Sequence, residues 1–415
     1  MFSKIGQLIF DNEAVAKTSD FTMGLEIEMH RIDDAGDLSQ EPYPAAIGDE
    51  ATNPWITTDF LETMSEIVTP PAAYALDAMH YLYGINNILR TSLAPGELLW
   101  PLSMPPKLPK DTSHIRLAQW GPEKEAYLKE WARRHRFAEG TPCGAHINLS
   151  IDQHLIDLVL ENFPERFKND FKLEHPVRSI RQSSLGFGTK FAGDYTSVQA
   201  YVDRIQQGVK DKILIKDYEF HGSVRFKGNP VLSELPKTGA EYIELRMLDL
   251  DPSSSVGIRT DTLRFIRLLA SYLIMTPALK PNEVNRVLET ADRMNEEVAS
   301  EDPRSICKYQ NKARALIKSL ERYANRIQLG PEYQEILDDL EDRVENPLTT
   351  PSARLLNYVK DDSLEEYALR RARHYQRAAQ ESIIKFEGFE DRQYTAAELK
   401  EALFPGNWDP DLRRS

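Results

Sequence analysis

The chain holds two cysteines, Cys143 and Cys307, among 415 residues. That is too few for a disulfide framework and predicts a protein of the reducing cytosol. Long apolar runs are missing too. The most apolar window, residues 268–279, is short, follows Arg267 and is interrupted by Pro277, whereas a spanning helix needs about 20 residues. The opening MFSKIGQLIFDNEAV carries Asp11 and Glu13 and no small-residue cleavage site, which predicts no signal peptide. Basic surplus is absent: 51 Lys and Arg face 65 Asp and Glu, a net charge of −14. A dedicated nucleic-acid binder or a binder of anionic membranes would carry a basic face, so neither partner is expected. Internal repeats, low-complexity tracts and linker-like segments are lacking as well. What remains is 41% hydrophobic and 28% charged, a balance that can bury a sizeable core. The expectation is one catalytic unit over residues 1–415: a mixed sheet and helix core at 1–258, a helical part at 259–385 and a tail at 386–415.

Three segments alternate with the period of a strand. Phe21 to Ile32 sets Leu25, Ile27 and Met29 against Glu26, Glu28 and His30. Thr141 to Ile151 sets Ala145, Ile147 and Leu149 against His146, Asn148 and Ser150. Glu241 to Leu248 sets Ile243, Leu245 and Met247 against Tyr242, Glu244 and Arg246. Residues 72–92 and 122–137 read as helices, the second opened by Pro122 at a favourable first-turn position. From Arg259 onward the helical period takes over, in 263–274, 282–299, 311–327, 332–344 and 363–386, with a short helix at 395–403. Residues 104–111 read as an exposed loop.

Alternation of this kind commonly means an antiparallel sheet with one face in water. The residue types argue otherwise. Lys and Thr, the usual fillers of a solvated sheet face, are nearly absent from these segments. Carboxylates, an imidazole, an amide and a guanidinium stand there instead, groups that together suit metal and phosphate. Glu26 and Glu28 on one strand put two carboxylates on one side, roughly 6–7 Å apart, a spacing suited to two neighbouring hard cations with oxygen ligands. WITTDFLETMSEIVTP (55–70) adds Asp59, Glu62 and Glu66. No Ser–His–Asp or Cys–His nucleophile is evident.

Eight motifs carry a resemblance: GLEIEMHR (24–31), WITTDFLETMSEIVTP (55–70), LWPLSMPP (99–106), LAQWG (117–121), GAHINLS (144–150), SIRQSSLGF (179–187), EYIELRMLDLDP (241–252) and NPLTTPSARLL (346–356). In this order, from about residue 20 to about 385, they resemble the bacterial-type glutamate–cysteine ligase family. The resemblance implies an α+β fold of glutamine-synthetase type, a curved antiparallel sheet forming a funnel with helices outside. It implies ATP-dependent amide formation, with ATP as co-substrate and Mg²⁺ as cofactor in two or more ions, Mn²⁺ being an alternative. By the same resemblance Glu26, Glu28, Asp59, Glu66, His146 and Glu244 are the metal ligands. Arg246 and Arg225 meet the nucleotide, and Arg246, Glu28 and Glu244 are the catalytic set. Asn148, Arg181, Phe187 and His221 are the substrate-binding set, Arg181 matching an arginine for a substrate carboxylate. Glu62 reads as a solvated or helix-starting residue, Cys143 as a small core filler and Cys307 as structural.

The chain also departs from the family. Only 34 residues separate His146 from Arg181, where family members carry a much longer segment. Phe187 and His221 stand at aromatic positions, often tyrosine, that the family uses around the acceptor amine. The expectation is a cytoplasmic ligase joining the γ-carboxylate of glutamate to the amine of cysteine, with another amino acid or amine as the alternative acceptor. A non-catalytic nucleotide- or glutamate-binding regulator is a third reading. The intact ligand set argues against it, since a silent homologue is free to lose carboxylates that repel one another.

Overall fold

The computed structural model describes residues 2–15, 21–150, 191–277, 279, 281–361, 363–384 and 395–403. Among the described residues seven strands build one sheet: β1 (Thr22–Ile32), β2 (Ile56–Thr58), β3 (Met64–Val68), β4 (Leu98–Leu99), β5 (Ala145–Ser150), β6 (Val224–Gly228) and β7 (Ala240–Leu248). The order is β2-β3-β1-β5-β7-β6, with β4 paired to β1, and these strands pair antiparallel throughout. The three strands expected from alternation are the long ones. β2, β3 and β6 are too short for a periodic signal and were not expected.

Burial departs from a half-solvated sheet. Leu25, Ile27 and Met29 pack into the main core with Leu82, Ile85 and Leu89 of helix Ala75–Ser92 and with Leu263 and Ile266 of helix Thr260–Met275. On the opposite side Glu28, His30, His146 and Glu244 are fully buried as well. The polar side is therefore the wall of an interior, not a wet surface. One bulge modifies the expected alternation. Ala145 pairs with Leu248 and Ile147 with Leu245, so Leu248 rather than Met247 comes opposite Ala145, and β7 bends beside Arg246.

The last third is helical, as expected: Thr260–Met275, Pro281–Ala299, Gln310–Arg326, Pro331–Glu345 and Glu365–Glu381. An unexpected N-terminal helix, Lys4–Asp11, joins this layer. Ser3 Oγ caps it by accepting from the Gly6 amide at 2.8 Å, and its Ile9 lies with Leu268, Met275, Ile317, Leu320 and Leu337 in a second core. Helix Glu365–Glu381 stops before residue 386 and docks on Ala75–Ser92 through Gln376 Nε2, which donates to the Arg90 carbonyl at 2.7 Å. No helix among the described residues is long and apolar enough to cross a membrane.

Gly140 marks how tightly the wall behind Asp59 is packed. A β-carbon there would lie 2.7 Å from the Phe60 ring and 2.9 Å from Trp131, two rings already edge-to-face at 5.0 Å. Gly140→Ala is therefore expected to cost about 1–3 kcal/mol, since overpacking forces rings off their rotamers. Thermal melting of the variant checks this.

Candidate active site

Strand register assembles the site. Glu26 pairs with His146, Glu28 with Glu66, Asn148 with Glu244 and Arg225 with Glu244. Side chains at paired positions share a face, so residues spread along the chain from Glu26 to Glu244 meet in one row. His146 is its centre. Its Nδ1 lies 3.0 Å from Glu26 Oε2 and 3.6 Å from Glu244 Oε1, and its Nε2 lies 3.5 Å from Glu28 Oε1. Asn148 Nδ2 donates to Glu26 Oε1 at 2.9 Å, and the Gly144 amide donates to Glu28 Oε2 at 2.8 Å. One ligand atom each from Glu26, Glu66 and His146 lies within 4.8 Å of the others.

Cations close the β6–β7 edge. Arg246 Nη1 donates to Glu244 Oε1 at 2.5 Å, Lys227 Nζ lies 3.1 Å from Glu244 Oε2, and Arg225 Nη1 lies 3.6 Å from that oxygen. Lys227 was missed in the sequence, although it stands two residues beyond Arg225 and so on the same face of β6.

The electrostatics divide the carboxylates. Burial raises the Glu66 carboxyl well above its ordinary range, and the Glu26, Asp59 and Glu28 charges raise it further. Asp59 is raised by burial and by Glu28, against Lys124, Arg246 and His146. Glu244 is also opposed by burial, yet Arg246, Arg225, His146 and Lys227 hold it well below the usual range. Glu26 is lowered despite burial because His146 hydrogen-bonds to it. Burial pushes the His30 imidazole down to about 4, so it is neutral at pH 7, and its Nε2 donates to the Thr141 carbonyl at 2.8 Å. His30 pins β1 to the approach of β5 rather than serving as a ligand.

This donor set fits divalent cations. Hard ions take several carboxylate and carbonyl oxygens, and crowded buried carboxylates that push one another's affinity for protons upward are relieved by positive charge. Asn148 Oδ1 is buried without a hydrogen-bond partner among the described residues, one further oxygen beside Glu26. Glu62 corrects an expectation. It is buried, accepts from the Tyr43 amide at 3.0 Å and is bound by Arg116. It locks the turn between β2 and β3 and belongs neither to solvent nor to a helix start. Cys143 lies in the main core, as expected of a small filler. His221 is half-buried on the approach to β6. Arg181 and Phe187 lie outside the described residues.

A sequence model described as glutamate–cysteine ligase matches residues 7–186 and 187–295. The chain belongs to the glutamate–cysteine ligase family. Among curated relatives, the glutathione biosynthesis bifunctional protein of Lactiplantibacillus plantarum is 29% identical over 439 residues, which cover 97% of this chain and 58% of that one. The chain thus spans little more than half the length of such relatives. Among solved structures, a bifunctional glutathione synthetase from Pasteurella multocida superposes with a TM-score of 0.84 at 26% identity, covering 92% of this chain and 55% of that one. Glutamate–cysteine ligase from Francisella tularensis, solved in complex with AMP, shares the fold with a TM-score of 0.76 at 20% identity, covering 92% of both chains. The α+β architecture is that of glutamate–cysteine ligases.

Proposed function

We propose that the chain is an ATP-dependent γ-glutamyl ligase whose acceptor is cysteine. The observation that carries this reading is the buried polar side of the sheet, where Glu26, Glu66 and His146 offer ligand atoms within 4.8 Å of one another and three cations stand beside Glu244. An oxygen of the glutamate γ-carboxylate attacks the γ-phosphorus of ATP, and ADP leaves. The acceptor nitrogen then attacks the acyl carbon of γ-glutamyl phosphate and loses its proton. Inorganic phosphate departs with the former carboxylate oxygen. Such chemistry asks a protein mainly for positioning and charge neutralisation.

Arg246, with Arg225 and Lys227, holds the phosphoryl oxygens. The bidentate guanidinium is the apt group for them. Glu26, Glu28, Asp59, Glu66, His146 and Glu244 would hold two or more Mg²⁺ ions. Bound there, the ions would offset charge developing on the transferred phosphoryl group. His146 orients Glu26 and separates it from Glu244. Asn148 and Arg181 take the glutamate. Helices Ala75–Ser92 and Thr260–Met275, packed on the apolar side of the sheet, support reading the chain as one catalytic unit, and the scarcity of cysteine supports a cytosolic setting.

ADP release in the presence of glutamate, ATP and Mg²⁺, screened across amines, tests the reading. Glutamate-dependent ADP release with cysteine supports it; ATP turnover indifferent to glutamate and to every amine overturns it.

His221 and Phe187 favour a second reading in which the preferred amine differs. Phe187 lacks a hydroxyl that tyrosine would supply, and an imidazole donates or accepts with a charge that varies near neutral pH. A missing donor weakens selection by about 1–3 kcal/mol. Competition between cysteine, 2-aminobutyrate and alanine at equal concentration is therefore expected to give discrimination of about 100-fold or less, and Phe187→Tyr to sharpen it. Cysteine winning by many orders of magnitude, with Phe187→Tyr silent, leaves the plain cysteine reading standing.

A further inference from the structure

We infer that Glu50 is a positioning residue for the metal centre: its carboxylate, acting through Thr58, holds Asp59 where an ion can take it. The inference rests on the reading of Asp59 as a metal ligand of the ligase proposed above.

Asp59 directly follows β2, the outermost strand on the β3 side of the sheet, which pairs with β3 over three positions. A ladder that short is marginal by itself, so the residue beyond its end needs another hold. Segment 117–121, LAQWG, supplies one. It was among the motifs of the sequence, yet it places no residue among the candidate ligands. Instead it runs beside residues 58–61. The Ala118 amide donates to the Phe60 carbonyl at 3.2 Å, Leu117 bridges Leu61, and Trp120 Nε1 donates to Thr58 Oγ1 at 3.0 Å.

Glu50 ties these two segments together from a third. It is buried, as is Thr58. Its Oε1 accepts from the Gln119 amide at 3.1 Å and its Oε2 from the Thr58 hydroxyl. The Glu50 backbone is anchored separately, its carbonyl accepting from Thr57 Oγ1 at 2.7 Å.

The direction of each bond is forced. An indole N–H only donates, so the Thr58 oxygen receives Trp120 and its single hydrogen goes to Glu50. The Gln119 backbone amide only donates as well. Glu50 therefore stands between two buried donors and needs an acceptor on both oxygens. A carboxylate meets that need. A side-chain amide, with one oxygen and one NH₂, sets donor against donor on one side whichever way it turns. The demand is for two acceptors rather than for a shape, and it falls one residue from a metal ligand. A brace of this kind orients the ligand before any ion arrives, so that binding does not have to order it.

Mn²⁺ titration of the substrate-free protein, with free ion read by electron paramagnetic resonance, tests the inference. Glu50→Gln is expected to weaken Mn²⁺ binding by about 10-fold. It should raise the Mg²⁺ concentration for half-maximal activity by a similar factor and leave kcat at saturating Mg²⁺ within about threefold. Thr58→Val removes the hydroxyl and should weaken Mn²⁺ binding as well, whereas Thr58→Ser keeps it and should bind as the wild type does. Those two variants leave Glu50 intact and carry the test if Glu50→Gln does not fold. In the double variant of Glu50→Gln and Thr58→Val the loss should fall short of the product of the single losses, because the clash with the amide goes with the hydroxyl. Wild-type Mn²⁺ affinity in Glu50→Gln, whatever its melting temperature, makes Glu50 purely structural and overturns the inference, while weaker binding in Asp59→Asn keeps Asp59 as a ligand. Wild-type Mn²⁺ affinity in Asp59→Asn overturns both.

Discussion

Glu28→Gln is expected to lower kcat/KM by about 10³-fold while leaving the melting temperature unchanged or raised. Glu28 is fully buried and stands in register with Glu66, 3.5 Å from His146 through Oε1. Its charge is one of those that raise Glu66 and Asp59. A glutamine carbonyl can still accept the Gly144 amide that Glu28 Oε2 accepts now, so the local backbone keeps its partner. The substitution removes one negative charge from a crowd that repels itself, which relaxes the fold in the absence of metal. The same charge is what a metal–phosphate complex needs, so activity falls where stability does not. Differential scanning calorimetry beside steady-state kinetics reads both effects. A variant that loses stability and activity together would make Glu28 a structural residue.

Arg246→Met is expected to fail in the opposite direction. Glu244 is fully buried and accepts from Arg246 at 2.5 Å, and the Glu244, Glu28, Glu26 and Asp59 carboxylates together raise the Arg246 guanidinium above its ordinary range despite burial. Breaking a buried ion pair by removing one partner costs about 3–5 kcal/mol. Arg225 and Lys227 remain beside Glu244, which reduces the expectation to about 1–3 kcal/mol. Turnover should fall by about 10²–10³-fold, the loss typical of a group that stabilises charge only as it develops. Added Mg²⁺ is expected to recover part of the stability, because an ion bound to the folded state neutralises the same carboxylates. Melting curves with and without Mg²⁺ check the sign: Glu28→Gln and Arg246→Met should move the metal-free melting temperature apart, not together.

Much of the site was legible in the sequence because its chemistry and its periodicity disagree. β1, β5 and β7 alternate as half-wet strands do, yet their polar positions hold Glu26, Glu28, His146, Asn148, Glu244 and Arg246 in place of Lys and Thr. What periodicity does not encode is pairing. Glu66 faces Glu28, and Arg225 faces Glu244, through β3 and β6, strands of five residues each, too short to show a period of two against background. Glu62 misled because acidic spacing alone does not reveal Arg116, which lies 54 positions away in sequence and neutralises it in the fold. The β7 bulge was hidden for a related reason: an extra residue on one strand is visible only against its partner.

Isotope transfer tests the central claim most directly. Glutamate carrying ¹⁸O in both γ-carboxylate oxygens is incubated with ATP, Mg²⁺, the acceptor and the protein, and the inorganic phosphate is examined by mass spectrometry. An acyl phosphate passes one carboxylate oxygen to phosphorus, so each phosphate released should carry one ¹⁸O and the γ-glutamyl amide should retain the other. Phosphate free of label, released at the same rate with or without glutamate, would contradict the account.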